Sequence, residues 1–289
     1  MPLTMSSLPV VLTFGLSDPT GAAGVQADQL ACASMGCHPA TVVTAIATTG
    51  REDGDDWLAI EPDLIEVQAK SVLQNMPVAA FKVGALATAD QVQPVAEALA
   101  DFSDVPVVLD PVLDHSGGEE WEDDDLVDAI RELLLPQTTV ITLSLTQARA
   151  FAAAGEPGEE AESFSAADCA GHLIDGGAEY ALITDAEPGQ TVLVNMLFDE
   201  SGLVRRDAMP RIAHPAGGQF RGTGDTLSAG LAGLLAQGID VPEAVQEASQ
   251  YTTAALMHAF STGLGVAVPD RLFWAGDDED EDEGVRDAN

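Results

Sequence analysis

Val10-Val11-Leu12-Thr13-Phe14-Gly15-Leu16-Ser17-Asp18-Pro19-Thr20-Gly21-Ala22-Ala23-Gly24-Val25-Gln26-Ala27-Asp28 reads as a short apolar strand, a polar glycine-rich loop and the opening of a helix. Residues 10–14 are β-branched, apolar or aromatic, as in a strand covered on both faces. A strand that passes directly through such a loop into a helix is the first half of a βαβ unit. In parallel sheets the ligand crevice lies just past the carboxyl ends of the strands. Gly15, Asp18 and Gly21 are therefore candidate substrate-binding positions.

Moving outward, strand-like runs recur at residues 41–46, 80–83, 107–109, 140–142 and 181–184. Helical patterning separates them at 24–35, 63–74, 89–100, 124–134 and 166–174, with further helices at 226–236 and 242–259. This alternation predicts an α/β fold with a mostly parallel central sheet between two helical layers. Runs at 191–198 and 203–206, joined by Asp199-Glu200-Ser201-Gly202, predict a hairpin added antiparallel to that sheet. Residues 155–165 and 116–125 read as surface loops, the second a candidate flap over the pocket. Residues 1–275 read as one domain. The seven consecutive acids at 277–283 cannot pack against one another, so 276–289 read as a disordered acidic tail.

Forty-eight acids against 11 bases give a net charge of −37, which argues against nucleic acid as a partner. Three cysteines, Cys32, Cys37 and Cys169, are too few and too irregular for a disulfide framework, and the five histidines form no zinc motif. The apolar run near the start is too short for a signal or a membrane span, so a cytoplasmic protein without membrane contact is expected.

Arg221-Gly222-Thr223-Gly224-Asp225-Thr226-Leu227-Ser228-Ala229-Gly230 is a glycine-bracketed turn opening into a helix. Such a turn leaves backbone N–H groups pointing outward, ready for a phosphate. The Lys-Ser/Thr ending of a Walker A loop is absent. A carboxylate at Asp225 suits a general base beside an anion site, and suits equally a helix-capping acid.

The order and spacing of these two segments, of Lys82-Val83-Gly84 and of Val108-Leu109-Asp110-Pro111-Val112 resemble the hydroxymethylpyrimidine/phosphomethylpyrimidine kinases of thiamine biosynthesis, in the ribokinase-like superfamily. The resemblance spans residues 10–274. It implies a three-layer αβα sandwich, often a homodimer, that uses ATP and Mg²⁺ to phosphorylate a small pyrimidine alcohol and, in many members, the phosphorylated product. It also implies a phosphate-cradling catalytic turn from Gly222 through Thr223 and Gly224 to Asp225. Substrate contacts would come from Asp28, Thr49, Lys82, Ala85 and Val112, nucleotide contacts from Ser144, Thr184, Asp185 and Thr223, and the metal would lie near Asp110 and Gln147.

The chain departs from that family's pattern at five places. Asp225 stands where Cys is common, Gln147 where an acid is usual, Thr49 where Gln is common, and Ala85 where Met often stacks on the ring. The family's Lys-Gly-Gly-His run gives way to Thr184-Asp185-Ala186-Glu187-Pro188-Gly189, whose two acids would repel ATP phosphates if they faced them. Three readings follow from the resemblance and these departures: a kinase of the pyrimidine alcohol or its monophosphate, a kinase of a pyridoxal-type or other small alcohol, and a silent ligand-binding paralogue.

Overall fold

The computed structural model describes residues 8–48, 57–112, 124–153, 163–213, 220–261 and 266–276. Thr49, most of both expected surface loops and the acidic tail lie outside these residues. Six strands match the six predicted runs: β1 (Val10–Ser17), β2 (His38–Ala47), β4 (Val78–Val83), β5 (Val107–Leu109), β6 (Val140–Ser144) and β7 (Tyr180–Thr184). They pair in parallel. The predicted hairpin is β8 (Val192–Asp199) and β9 (Gly202–Pro210), antiparallel to β7 and to each other. A three-residue strand, β3 (Trp57–Ala59), pairs antiparallel with β2. The sheet order is β3-β2-β1-β4-β5-β6-β7-β8-β9. A separate two-stranded pair, β10 (Phe260–Ser261) and β11 (Ala267–Val268), follows the last helix.

The order reverses between β1 and β4, because the chain leaves β1 for β2 on one side and returns to β4 on the other. Loops leaving the carboxyl ends of β1 and β4 diverge there and open a crevice. The helices are α1 (Gly24–Ser34), α2 (Pro62–Leu73), α3 (Val92–Ala100), α4 (Asp124–Ala129), α5 (Leu145–Ala153), α6 (Ala166–Asp175), α7 (Thr223–Ala236) and α8 (Val241–Met257).

Period-two alternation in the strands sorts the core into two layers. Leu12, Phe14, Phe81, Val83, Leu109, Ile141 and Ile183 pack with α2 to α6. Val11, Ala80, Val108, Val140 and Leu182 pack on the opposite face with α1, α7 and α8. Helix α7 is buried from Thr226 to Leu235, with apolar and small residues around its whole circumference. Its small residues allow close approach: a Cβ at Gly230 would lie 3.3 Å from the Tyr251 ring, and one at Gly233 would meet the Met35 side chain at 2.8 Å.

The predicted helix 124–134 is regular only as far as Ala129. It widens to a π turn over Ile130–Leu134 and tightens to a 3₁₀ turn over Leu135–Gln137. Pro136 cannot donate to an α-helical ladder, and the changed pitch places Ile130, Leu134 and Leu135 all in the core. Helix α5 and strand β3 fall outside the predicted segments. Both are short, and neither shows a long enough apolar period to stand out.

Candidate functional site

Lys82 lies on β4 two residues from Ala80, so the same alternation points it at the α1/α7 layer, although it is a charged residue with no measurable exposure. Two carboxylates meet it there. Lys82 Nζ donates to Asp28 Oδ1 at 2.9 Å and Oδ2 at 3.2 Å, and to Asp225 Oδ1 at 2.9 Å. Asp28 comes from α1 and is fully enclosed, whereas the Asp225 side chain keeps 11% of its surface open to the cleft.

Burial disfavours the charge on Lys82, yet Asp28, Asp225 and Asp110 outweigh burial and hold it protonated. One cation cannot fully compensate three acids. Burial pushes the Asp28 carboxyl up to about 7 against the pull of Lys82. Burial also pushes Asp225 upward, but Lys82, the Gly24 amide and Arg271 overcome it and hold this carboxyl below its ordinary value. Asp225 is thus the group kept ionised, whereas burial raises both Asp28 and, against Lys82 and its hydroxyl partners, Asp110.

Helix α7 begins at Thr223, three residues earlier than the sequence pattern predicts, and Gly222 is its N-cap. The first helical bond runs from Thr226 N to Gly222 O, so the amides of Thr223, Gly224 and Asp225 have no intrahelical acceptor. No side chain caps them among the described residues. Gly222 has φ +78°, and a Cβ there would fall 2.0 Å from Ala22 O. Only glycine permits that conformation and that approach together.

The first loop is therefore packed directly on the turn. Asp225 Oδ2 accepts from Gly24 N at 2.9 Å. The loop is shaped by Asp18, whose carboxylate accepts from Thr20 N, Thr20 Oγ1 and Ala23 N, and also from Arg221 Nε at 3.2 Å.

A cleft of about 480 Å³ crosses the carboxyl ends of the strands above this cluster. Gly15, Lys82, Ala85 and Val112 line its β1–β5 side, Ser144, Gln147 and Thr184 its β6–β7 side, and Gly222 to Asp225 with Asp110 the floor between them. Four expected contacts are not among the residues that line it. Asp28 is sealed beneath Lys82, and Asp18 is buried as the hub of its loop. Gly21 is a turn residue at φ +74°. Asp185 is held by Arg211 through two hydrogen bonds of 2.6 and 3.1 Å. Glu187 is likewise paired with Arg206, so both acids of that run already have cationic partners.

Asp110 Oδ2 accepts from Ser228 Oγ at 2.7 Å. Gln147 closes a capping box that starts α5, its Oε1 accepting from Ser144 N at 2.9 Å while Ser144 Oγ accepts from Gln147 N at 3.2 Å. Among the described residues, no group of three or more His, Cys, Asp or Glu side chains could hold a metal by itself. A single carboxylate beside an anion-binding turn still fits Mg²⁺, which retains waters and shares phosphate oxygens.

Sequence reasoning missed Trp57, Arg221 and the α8 residues Thr252, Thr253 and Leu256, all of which line the cleft. Arg221 was detectable, as the residue preceding the quoted glycine turn. The α8 contacts carried no motif, and no described helix is long and apolar enough to cross a membrane.

Comparison with known proteins gives a consistent picture. The family model for phosphomethylpyrimidine kinase matches residues 18–270. The hydroxymethylpyrimidine/phosphomethylpyrimidine kinase of Escherichia coli strain K12 is 33% identical over 260 residues, 88% of this chain and 93% of that protein. The protein of the same name from Streptomyces coelicolor is 30% identical over 269 residues, 93% of this chain and 96% of its own length. A pyridoxal kinase of Bacillus subtilis, solved as an ADP complex, superposes with a TM-score of 0.80 at 27% identity, covering 92% of this chain and 98% of that one.

Proposed function

Since this chain belongs to the phosphomethylpyrimidine kinase family, we propose that it transfers the γ-phosphoryl group of ATP to the hydroxymethyl group of hydroxymethylpyrimidine, and to the monophosphate of that alcohol. The observation that carries the reading is the juxtaposition of Asp225 with three unpartnered α7 amides, against a loop that binds Asp225 through Gly24 N. The alcohol lies on the Gly15, Ala85 and Val112 side of the cleft and the nucleotide on the Ser144, Thr184 and α8 side. Asp225 accepts the hydroxyl proton as the oxygen bonds to the γ-phosphorus and the bond to the ADP oxygen breaks. The amides of Thr223, Gly224 and Asp225 meet charge that develops on the transferred group. Lys82 orients the base and keeps it ionised. Asp110 would hold Mg²⁺, which supplies charge neutralisation on phosphate oxygens when bound. Gln147 maintains the start of α5 at the cleft edge.

A coupled assay of ADP release tests this with hydroxymethylpyrimidine, its monophosphate and pyridoxal as parallel acceptors. Turnover on the pyrimidine alcohol, with kcat/KM above that for pyridoxal, is expected. Absence of turnover on every pyrimidine acceptor would refute the reading, and preference for pyridoxal would transfer it to the B6 alcohols, as the likeness to the Bacillus subtilis enzyme would allow. A homodimer in the cytoplasm belongs to the same proposal, and sedimentation of the purified chain tests the dimer.

A further inference from the structure

Arg271 follows β11, one residue beyond the span that matches the family model. It is 2% exposed, yet no carboxylate of the described residues forms a direct ion pair with it. Its guanidinium is spent on the site's backbone. Nη2 donates to Ala22 O at 2.7 Å and to Gly222 O at 3.1 Å, and Nε donates to Thr226 Oγ1 at 2.9 Å. Thr226 Oγ1 passes the contact on to Gly222 O at 2.6 Å. One planar group therefore touches the substrate loop, the N-cap of the phosphate-facing helix and the first turn of that helix.

The Arg271 backbone is anchored in turn, because its carbonyl accepts from Tyr251 OH of α8 at 2.9 Å. Burying a cation is costly, and burial lowers the Arg271 value from its ordinary range; the carbonyl dipoles and the nearby acids Asp225, Asp28 and Asp18 offset part of that cost. A flat, forked donor can serve two carbonyls and a hydroxyl at fixed angles, and an ammonium group cannot.

We propose that Arg271 is a positioning residue that locks the first loop onto the Gly222 turn, fixing the register between the alcohol side of the cleft and the α7 amides. Asp225 is the atom set that depends on this register, since its two oxygens bind Gly24 of the loop and Lys82 of the sheet while its backbone belongs to the turn. Loosening the lock leaves the alcohol side able to bind, disturbs the α7 amides that meet the nucleotide phosphates and removes the alignment of the two. A misplacement of about 1 Å at a reacting centre costs on the order of 100-fold in rate.

The inference shares the cleft with the kinase reading, and its test separates the two. Arg271→Met keeps most of the packing volume and Arg271→Lys keeps the charge, but neither keeps the fork. Both are expected to lower kcat by about 100-fold with the acceptor KM within about threefold, and to weaken binding of the non-hydrolysable analogue AMP-PCP by about tenfold, measured by titration calorimetry. A purely structural residue would lower the melting temperature and leave kcat per folded molecule unchanged. If Arg271→Met fails to fold, Arg271→Lys decides. Either folded variant with parental kcat and parental AMP-PCP affinity overturns the inference. If the parent turns over no pyrimidine alcohol, the kinase reading fails by itself, and an unchanged AMP-PCP affinity in Arg271→Lys still refutes the lock.

Discussion

Asp225→Asn is the substitution from which most follows. The carboxylate has two partners, Lys82 Nζ at 2.9 Å and Gly24 N at 2.9 Å. An asparagine oxygen can still accept from Lys82, but its amide nitrogen then meets the Gly24 N–H, so two donors face each other. An unsatisfied partly buried donor costs about 1–3 kcal/mol, and that is the expected loss of stability in urea unfolding. The catalytic loss is larger: a positioned base contributes roughly 10²- to 10⁴-fold, so kcat is expected to fall by about 1,000-fold, or ~4 kcal/mol of barrier. KM for the alcohol changes little, because the amide oxygen can still orient the hydroxyl. Initial rates of ADP release at saturating ATP, measured on protein shown to be folded, give both numbers. Asp225 is held below its ordinary value, so the base is ionised at neutral pH. A variant that keeps more than one tenth of the parental kcat would refute the assignment of Asp225 as base.

Three further outcomes follow from the same cluster. Lys82→Met leaves Asp28 and Asp225 without their shared cation, and breaking a buried pair in this way should cost about 3–5 kcal/mol; a urea midpoint unchanged from the parent's would contradict it. Gly222→Ala places a Cβ against Ala22 O and forces φ +78° on an L residue, so AMP-PCP affinity should drop by at least about tenfold, and parental affinity would show that the turn tolerates displacement. Asp28 is raised by burial from 3.8 to about 7, so its neutral form favours folding below about pH 4 and that contribution disappears as pH rises through 7. The melting temperature should therefore fall between about pH 4 and 7, and Asp28→Asn should flatten that slope; parallel slopes in the two proteins would place the titration elsewhere.

Much of the scaffold is legible in the chain because it depends on local periodicity. Residues 10–14, 107–109 and 181–184 are short runs of apolar and β-branched residues, as in covered strands, and the loops after them fall where a parallel sheet binds ligands. The Gly222–Asp225 turn is legible because a glycine N-cap and an orphaned helix start are properties of a few consecutive residues. Gln147 shows the limit: from the sequence it is a missing acid, whereas in the fold its amide closes the capping box with Ser144. Asp185 and Glu187 likewise read as two unpaired acids until β9 and the residue just after it bring Arg206 and Arg211 alongside.

The sequence by itself determined the alternation of strands and helices, the two glycine-rich turns and the identity of Asp225 as the acid at an anion-binding helix start. Tertiary structure decided which charges share a dielectric. Lys82 joins Asp28, 54 residues away, and Asp225, 143 residues away, and Arg271 reaches Ala22 across 249 residues. Electrostatic energy depends on distance and burial, and neither is written in local spacing; both arise only when β4 is inserted beside β1 and α7 closes over them.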